Sequence, residues 1–435
     1  MKRKISMALM GVFLAIILVV PIIGAVTGPQ RSDILKICNW SEYLGEGVVE
    51  DFQAYYKEIT GKDITIKYDT FDEPEVLYSK INMAKTDYDV VCPSDYMVEK
   101  MIKNKVALPL AGKNDLGVDL NGEPIEDFRG NVSPLFSAEA GFFDYDPSGN
   151  YSIPYMWGTM GILYGEDAIS LEYLESKGWA ALWDTDHKDK IQMKKSLRDT
   201  FVAGALYTLK NPASKDYDPN MSIKDALNNT DFNKQIEANL LWQKKNVIKY
   251  SGYENDQGKS KVILGEMDMI LQWAGDAMYA MTDLQDELQT YRPLNYYIPS
   301  EGSNIFSDAW CIPKFAGNKF AANLWMNFMC RSDISIRNMD YIGYTSSIAT
   351  DETLEYVCGE ENEDGVYVPY TTDDYAELDA SYFFPASKFG DRVFKLCIEP
   401  VQYPDMAIIK KCVSMYDYGE HTQKMETLWN NVMVG

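Results

Sequence analysis

Beyond the first thirty residues the pattern starts with a short apolar run, Ile34–Cys38. After it Val48, Val49, Phe52, Tyr55, Tyr56 and Ile59 recur at helical spacing. Gly61 ends that predicted helix, and Ile64, Ile66 and Tyr68 then alternate as a half-buried strand. Leu77, Ile81 and Ala84 predict a helix leading into the apolar strand Val90–Cys92, which Pro93 stops. Met97, Val98, Met101 and Ile102 mark the next helix. Strands alternating with helices predict an α/β fold whose mainly parallel sheets carry helices on both faces. In such sheets ligands bind beyond the carboxyl ends of the strands. Two segments fall there: Asn39-Trp40-Ser41-Glu42-Tyr43 and Pro93-Ser94-Asp95-Tyr96.

Residues 110 to 150 are rich in turn dipeptides, among them Asn121-Gly122 and Asp146-Pro147. A second α/β series follows from Gly161, with a helix near Leu240–Trp242 and an apolar strand over Met269–Gln272. Phe320, Leu324, Phe328 and Met329 read as the core face of a helix. From 350 to 410 the chain is rich in Asp, Glu and Tyr and reads as mixed loops. A last helix carries Leu428, Trp429 and Val432.

At the amino terminus Lys2, Arg3 and Lys4 precede an uncharged run from Ile5 to about Gly28. That pattern is an export signal. The run is long enough to span a bilayer as an uncleaved anchor, while Pro21, Gly24 and Ala25 suit a cleavage region, so both fates remain open. Either places the rest outside the cytoplasm.

The 435 residues exceed one simple core and suit two lobes. A 46% hydrophobic composition is globular. With 41 Lys and Arg against 65 Asp and Glu, the formal charge is −24. Such a surface excludes a nucleic-acid binder, which needs a basic face, and attracts cations. The seven cysteines are odd in number and form no C-x-x-C, so they read as buried free thiols and not as a disulfide or zinc framework.

Catalytic, metal and cofactor motifs fail on inspection. The two histidines, His187 and His421, read as solvent-exposed and leave almost no material for a triad or an imidazole metal site. Gly258-Lys259-Ser260 lacks the earlier glycine of a phosphate loop, since position 253 is Tyr253, and reads as a helix start. Glu360, Asn362, Asp364 and Gly365 resemble the opening of a calcium loop but reach Thr371 at the twelfth position. Asp144, Asp146 and Gly149 fail similarly, so both read as acidic turns. No spacing singles out a glycosidase pair of carboxylates.

What remains is a set of aromatic and acidic residues at strand ends: Trp40 with Tyr43, Tyr96, Trp273 with Asp276, Phe306 with Asp308, and Tyr344. Ring faces attract ammonium groups by about 0.5–2 kcal/mol each. Carboxylates fix the charged ends through charge-assisted hydrogen bonds. The set reads as a box for an organic cation. A sugar would also stack on aromatics, so the carboxylates are the discriminating element.

Ordered landmarks then carry a resemblance. Asn39-Trp40-Ser41-Glu42-Tyr43, Val90-Val91-Cys92-Pro93-Ser94-Asp95-Tyr96 and Tyr151-Ser152-Ile153-Pro154-Tyr155-Met156-Trp157-Gly158 resemble the spermidine/putrescine-binding proteins of polyamine ABC importers. So do Gly265-Glu266 through Trp273-Ala274-Gly275-Asp276, Glu301-Gly302 through Asp308, Ile312-Pro313, and Ile342-Gly343-Tyr344. The resemblance spans roughly residues 33–347 and weakens over Tyr403–Gly419.

It implies a two-lobe periplasmic-binding-protein fold, type II-like, with the ligand cleft between lobes and the chain crossing near 158–162 and 300–307. Lobe 1 would comprise 33–160 and 307–352, and lobe 2 161–302 and 353–435, after an export segment over 1–30. Carried over by position, Trp40, Ser41, Tyr43, Ser94 and Tyr96 would wall the first lobe. Trp273 and Phe306 would sandwich a methylene chain. Asp308, Asp199 and Asp276 would take the amines, Tyr344 would add a hydroxyl, and Arg198 matches a family arginine. Ser196 stands where spermidine binders carry an acid, Phe306 replaces a tryptophan, and Met415 replaces a glutamine. Asp276 matches the putrescine-selective members better than the spermidine ones, and the loss of one carboxylate favours a diamine over a triamine. The implied partners are a polyamine and membrane permease subunits. The implied protein is monomeric and non-catalytic, with no cofactor and no metal. The alternatives are a binding protein for another solute, or a secreted hydrolase using paired carboxylates.

Overall fold

The computed structural model describes residues 30–211, 216–218, 220–255, 257–362 and 367–435. The apolar run Ile5–Gly28, and Asp364 and Gly365 of the acidic turn, lie outside the described residues. No helix among the described residues is long and apolar enough to cross a membrane.

Strand β1 (Ile34–Trp40) is flanked by two parallel neighbours, β2 (Thr65–Phe71) and β3 (Val90–Val91). The helix Val48–Thr60 connects β1 to β2 and buries Val48, Phe52, Tyr55 and Tyr56, the face predicted by their spacing. It stops at Gly61, whose φ of 69° lets its N–H return to the Lys57 carbonyl. After β3 comes the helix Asp95–Lys103, then the two-residue β4 (Ala107–Leu108).

Strand β5 (Ser152–Gly165) changes partners along its length. Ser152–Thr159 pairs antiparallel with β9 (Asn304–Pro313), whereas Met160–Tyr164 pairs antiparallel with β7 (Met269–Trp273) and Ile162–Gly165 with β8 (Leu294–Tyr297). Beyond β7 lies β6 (Ile191–Gln192), parallel to it, and β10 (Thr345–Ser346) lies on the first half of β5. The strand order is β2-β1-β3-β9-β5-β7-β6. Parallel ladders therefore lie at the two flanks. The long strands β5 and β9, which cross between the halves, run antiparallel in the middle.

Each half has its own core. One gathers Leu35, Ile37, Phe52, Trp310, Trp325 and Phe328. The other gathers Met160, Ile162, Trp179, Phe201, Ile236 and Leu428. A third cluster comes largely from the segment read as mixed acidic loops. There Phe383, Phe384 and Tyr403 pack with Val98, Leu135, Ile305 and Met339. Trp157 of β5 stacks on Phe383 with centroids 5.5 Å apart and rings 19° from parallel, and Tyr403 closes edge-on at 6.1 Å. The segment thus braces the strand that joins the halves.

Three side-chain expectations change. His187 is half-buried because the turn Thr185–His187 packs against Tyr173, and its Nδ1 lies 3.0 Å from Asp268 Oδ2. His421 is also half-buried, where the chain turns into the helix Thr422–Val434. Phe320, in the first turn of the helix Lys319–Phe328, is exposed and meets Tyr56 at its edge, whereas Leu324, Phe328 and Met329 are buried. All seven cysteines are free thiols, with Cys38, Cys92, Cys311 and Cys330 buried.

Candidate functional site

Along β9, Asn304, Phe306 and Asp308 share one face because strand side chains alternate. Asp308 is 5% exposed. Two lobe-end loops reach it. Tyr43, in the turn after β1, donates its hydroxyl to Asp308 Oδ2 at 2.8 Å. Ser94, the N-cap residue after β3, donates to Oδ1 at 2.7 Å and forms an isolated backbone bridge with Asp308. The Trp40 indole N–H lies near enough to lower the Asp308 pKa without meeting hydrogen-bond geometry with any described residue. Loss of water dominates, and it pushes this carboxyl up to about 6. Among the described residues, its hydrogen-bond partners are hydroxyls and not a cation.

Tyr344 extends the aromatic wall. Its ring meets Tyr43 edge-on at 5.1 Å and Phe306 at 6.3 Å, and its hydroxyl faces Asp276. Gly275 makes this approach possible, since a Cβ there would stand 2.0 Å from a Tyr344 ring carbon.

A second acidic cluster lies at the ends of β6 and β7. Asp199, in the first turn of the helix Leu197–Lys210, accepts from Asn304 Nδ2 at 3.2 Å, and Trp273 lies beside it. Burial raises the Asp199 pKa, against the lowering effect of Ser196, Lys194 and Trp273. Ser196, where an acid was expected, is the N-cap of that helix and accepts from the Asp199 N–H at 3.4 Å. Asp276 is held by Lys259 at 3.1 Å and Lys194 at 3.5 Å.

Arg198 stacks between the rings of Tyr96, at 3.6 Å, and Tyr418, at 4.3 Å, and donates to the Tyr416 carbonyl at 2.7 Å. A residue from one half thus lies on an aromatic ring of the other. Met415 packs against the cluster that holds Tyr96.

The structure gathers Trp40, Tyr43, Ser94, Phe306, Asp308 and Tyr344 around one carboxylate, and Asp199, Trp273 and Asp276 around a second acidic centre. Tyr344 and Asp276 join the two, and Arg198 with Tyr96 stands alongside. Ser41 alone is turned to the surface, with its Oγ 3.4 Å from Asp72. Lys194, Lys259 and Asn304 were not anticipated. Lys194 and Asn304 lie at strand ends, the same signal that picked out the aromatics. Among the described residues no His, Cys, Asp and Glu cluster stands where it could hold a metal.

Two α/β halves joined by crossing strands, with acids and aromatics converging where they meet, define a solute-binding architecture. Residues 48–353 match the bacterial extracellular solute-binding protein family, and the chain belongs to it. It is 29% identical over 325 residues to the spermidine/putrescine-binding periplasmic protein of Salmonella typhimurium, covering 74% of this chain and 80% of that protein. It is 28% identical over 354 residues to the putrescine-binding periplasmic protein PotF of Escherichia coli, covering 80% and 86%. Its fold is that of the spermidine/putrescine ABC transporter substrate-binding protein PotD from Streptococcus pneumoniae. That likeness has a TM-score of 0.61 at 23% identity and covers 93% of this chain and 99% of that one.

Proposed function

We propose that this chain is the extracytoplasmic solute-binding protein of an ABC importer that captures a polyamine, putrescine or spermidine, and delivers it to permease subunits in the membrane. Relatives named for these amines support the ligand class. The residues that would hold it are Trp40, Ser41, Tyr43, Ser94, Tyr96, Arg198, Asp199, Trp273, Asp276, Phe306, Asp308 and Tyr344. The role is capture and transfer without catalysis, by a monomer carried outside the cytoplasm by its amino-terminal signal or anchor.

The lobes are 33–160 with 307–352, and 161–302 with 353–435. Ligand contact with both lobes closes the hinge at β5 and β9, and the closed form docks on the permease. One observation carries the reading: Asp308 is a desolvated carboxylate, framed by Tyr43 and Ser94 hydroxyls and set among rings. An ammonium supplies the missing countercharge, and the rings flank its methylene chain. A sugar would leave that charge uncompensated.

A thermal-shift screen of putrescine, spermidine, cadaverine, agmatine and common sugars tests the reading. Stabilisation by amines and not by sugars supports it. Stabilisation by a sugar alone, or by no amine, overturns it.

A further inference from the structure

The turn into the helix Asp95–Lys103 clasps β9 at three successive positions. The Ala309 N–H donates to the Pro93 carbonyl at 3.0 Å, Ser94 bridges Asp308, and the Ser307 N–H faces the carboxyl of Asp95. Ser307 and Ala309 turn their N–H groups to the same edge of β9, because alternate residues of a strand share that direction. At the first two positions the backbone of the turn meets the strand. At the third the chain has already entered the helix, and the Asp95 side chain takes the backbone's place.

Asp95 is 0% exposed. Its Oδ1 accepts from the Tyr96 N–H at 2.7 Å, which satisfies one of the free amides of the helix start. Its Oδ2 is buried without a hydrogen bond among the described residues. The ionisable groups around it are Asp308 on β9, Arg198 from the other half, and Tyr145 ahead of β5. Burial, more than any of these, raises its pKa well above the usual carboxylate range, and Asp308 adds to the rise against Arg198. The neutral acid is thus the favoured form of Asp95, and Asp308 is left to carry the charge beside it.

We infer that Asp95 is a positioning residue for amine capture: as a neutral acceptor it completes the clasp on Ser307–Ala309 that holds Asp308 against Ser94, and it offers the ligand no charge of its own. The inference rests on the polyamine reading of the cleft.

Putrescine titrations from pH 5 to pH 8 on the full chain and two variants test it. Asp95→Asn keeps the reach and the carbonyl acceptor. Asp95→Ser keeps a polar group at the helix start but is too short to reach Ser307. The asparagine variant binds within about threefold of wild type, with the same pH midpoint. The serine variant loses affinity by about tenfold, the scale of one charge-assisted hydrogen bond, because Ser94 is released from Asp308. Ser94 lowers the Asp308 pKa, so its release also moves the midpoint up by about half a pH unit or more, which a mere loss of stability would not do. A serine variant that fails to fold beside an asparagine variant that folds and binds likewise assigns the role to the acceptor. A tenfold loss in Asp95→Asn overturns the inference, since the ligand would then be reading a charge there. So does a folded Asp95→Ser whose midpoint does not move. A wild-type protein that binds no amine overturns the polyamine reading instead, and takes this inference with it.

Discussion

Tyr43 Oη donates a 2.8 Å hydrogen bond to Asp308 Oδ2, joining residues 265 positions apart in the chain. The bond brings the loop after the first strand onto a strand that crosses between the two halves. It also leaves Asp308 solvated by hydroxyls in place of water. Hydroxyls stabilise a carboxylate less than water does, so the free protein holds this group protonated at a higher pH than usual.

A pH dependence of ligand binding follows. The groups facing Asp308 are the Tyr43 and Ser94 hydroxyls and the Trp40 indole, and the buried Asp95 lies near and is itself raised by desolvation. An amine with a pKa near 10 stays charged throughout. Its binding requires ionised Asp308, so affinity is full well above pH 6, where the carboxyl titrates, and falls as pH drops below it. The decline approaches about tenfold per pH unit for one linked proton. In the ligand-free protein the sign is opposite: the desolvation cost of the charged carboxylate applies above about 6 and is relieved on acidification. Calorimetric titration of putrescine at pH 5 and pH 8 checks this, and equal affinities would refute it.

Gly275→Ala should damage the aromatic wall. The new methyl group would lie 2.0 Å from the Tyr344 ring, which cannot fold away as a flexible chain end would. Overpacking of this kind costs about 1–3 kcal/mol. The variant should lose that much stability in urea unfolding and bind amine more weakly. Wild-type stability together with wild-type affinity would show that Tyr344 is not held where described.

Trp157→Ala tests the brace under β5. Trp157 is 1% exposed and stacked on Phe383. Truncating a buried tryptophan costs about 3–5 kcal/mol. Because the two rings touch, Trp157→Ala with Phe383→Ala should cost less than the two single changes added. A loss below about 1 kcal/mol for the single variant would mean that the acidic segment does not buttress the strand.

Periodic features were readable without tertiary information. The spacing of Val48, Phe52, Tyr55 and Tyr56 marks a helix face in any context, and Gly61 marks its end. The strand-end rule located Trp40, Tyr43 and Ser94, which the fold brings to Asp308. It also expects Phe306 and Asp308 where a strand gives way to a loop, but they lie inside β9, because that strand continues to Pro313. Other features depend on distant packing and leave no local trace. Phe383, Phe384 and Tyr403 stand in an acidic, aperiodic stretch, and only their meeting with Trp157 makes them a core. His187 looked exposed among polar neighbours, but Asp268, from a remote segment, pairs with it. Lys194 belongs to no sequence pattern that singles it out, and only the fold brings it to Trp273 and Asp276.

The central claim is that Asp308 supplies the charge that binds an amine. Side-by-side calorimetric titration of putrescine into the wild-type protein and Asp308→Asn at pH 8 measures it most directly. The asparagine keeps the size of the side chain and removes its charge. The account predicts saturable binding to wild type and a loss of affinity of tenfold or more in the variant, about 1.4 kcal/mol or greater. Equal affinity in the two proteins would contradict it.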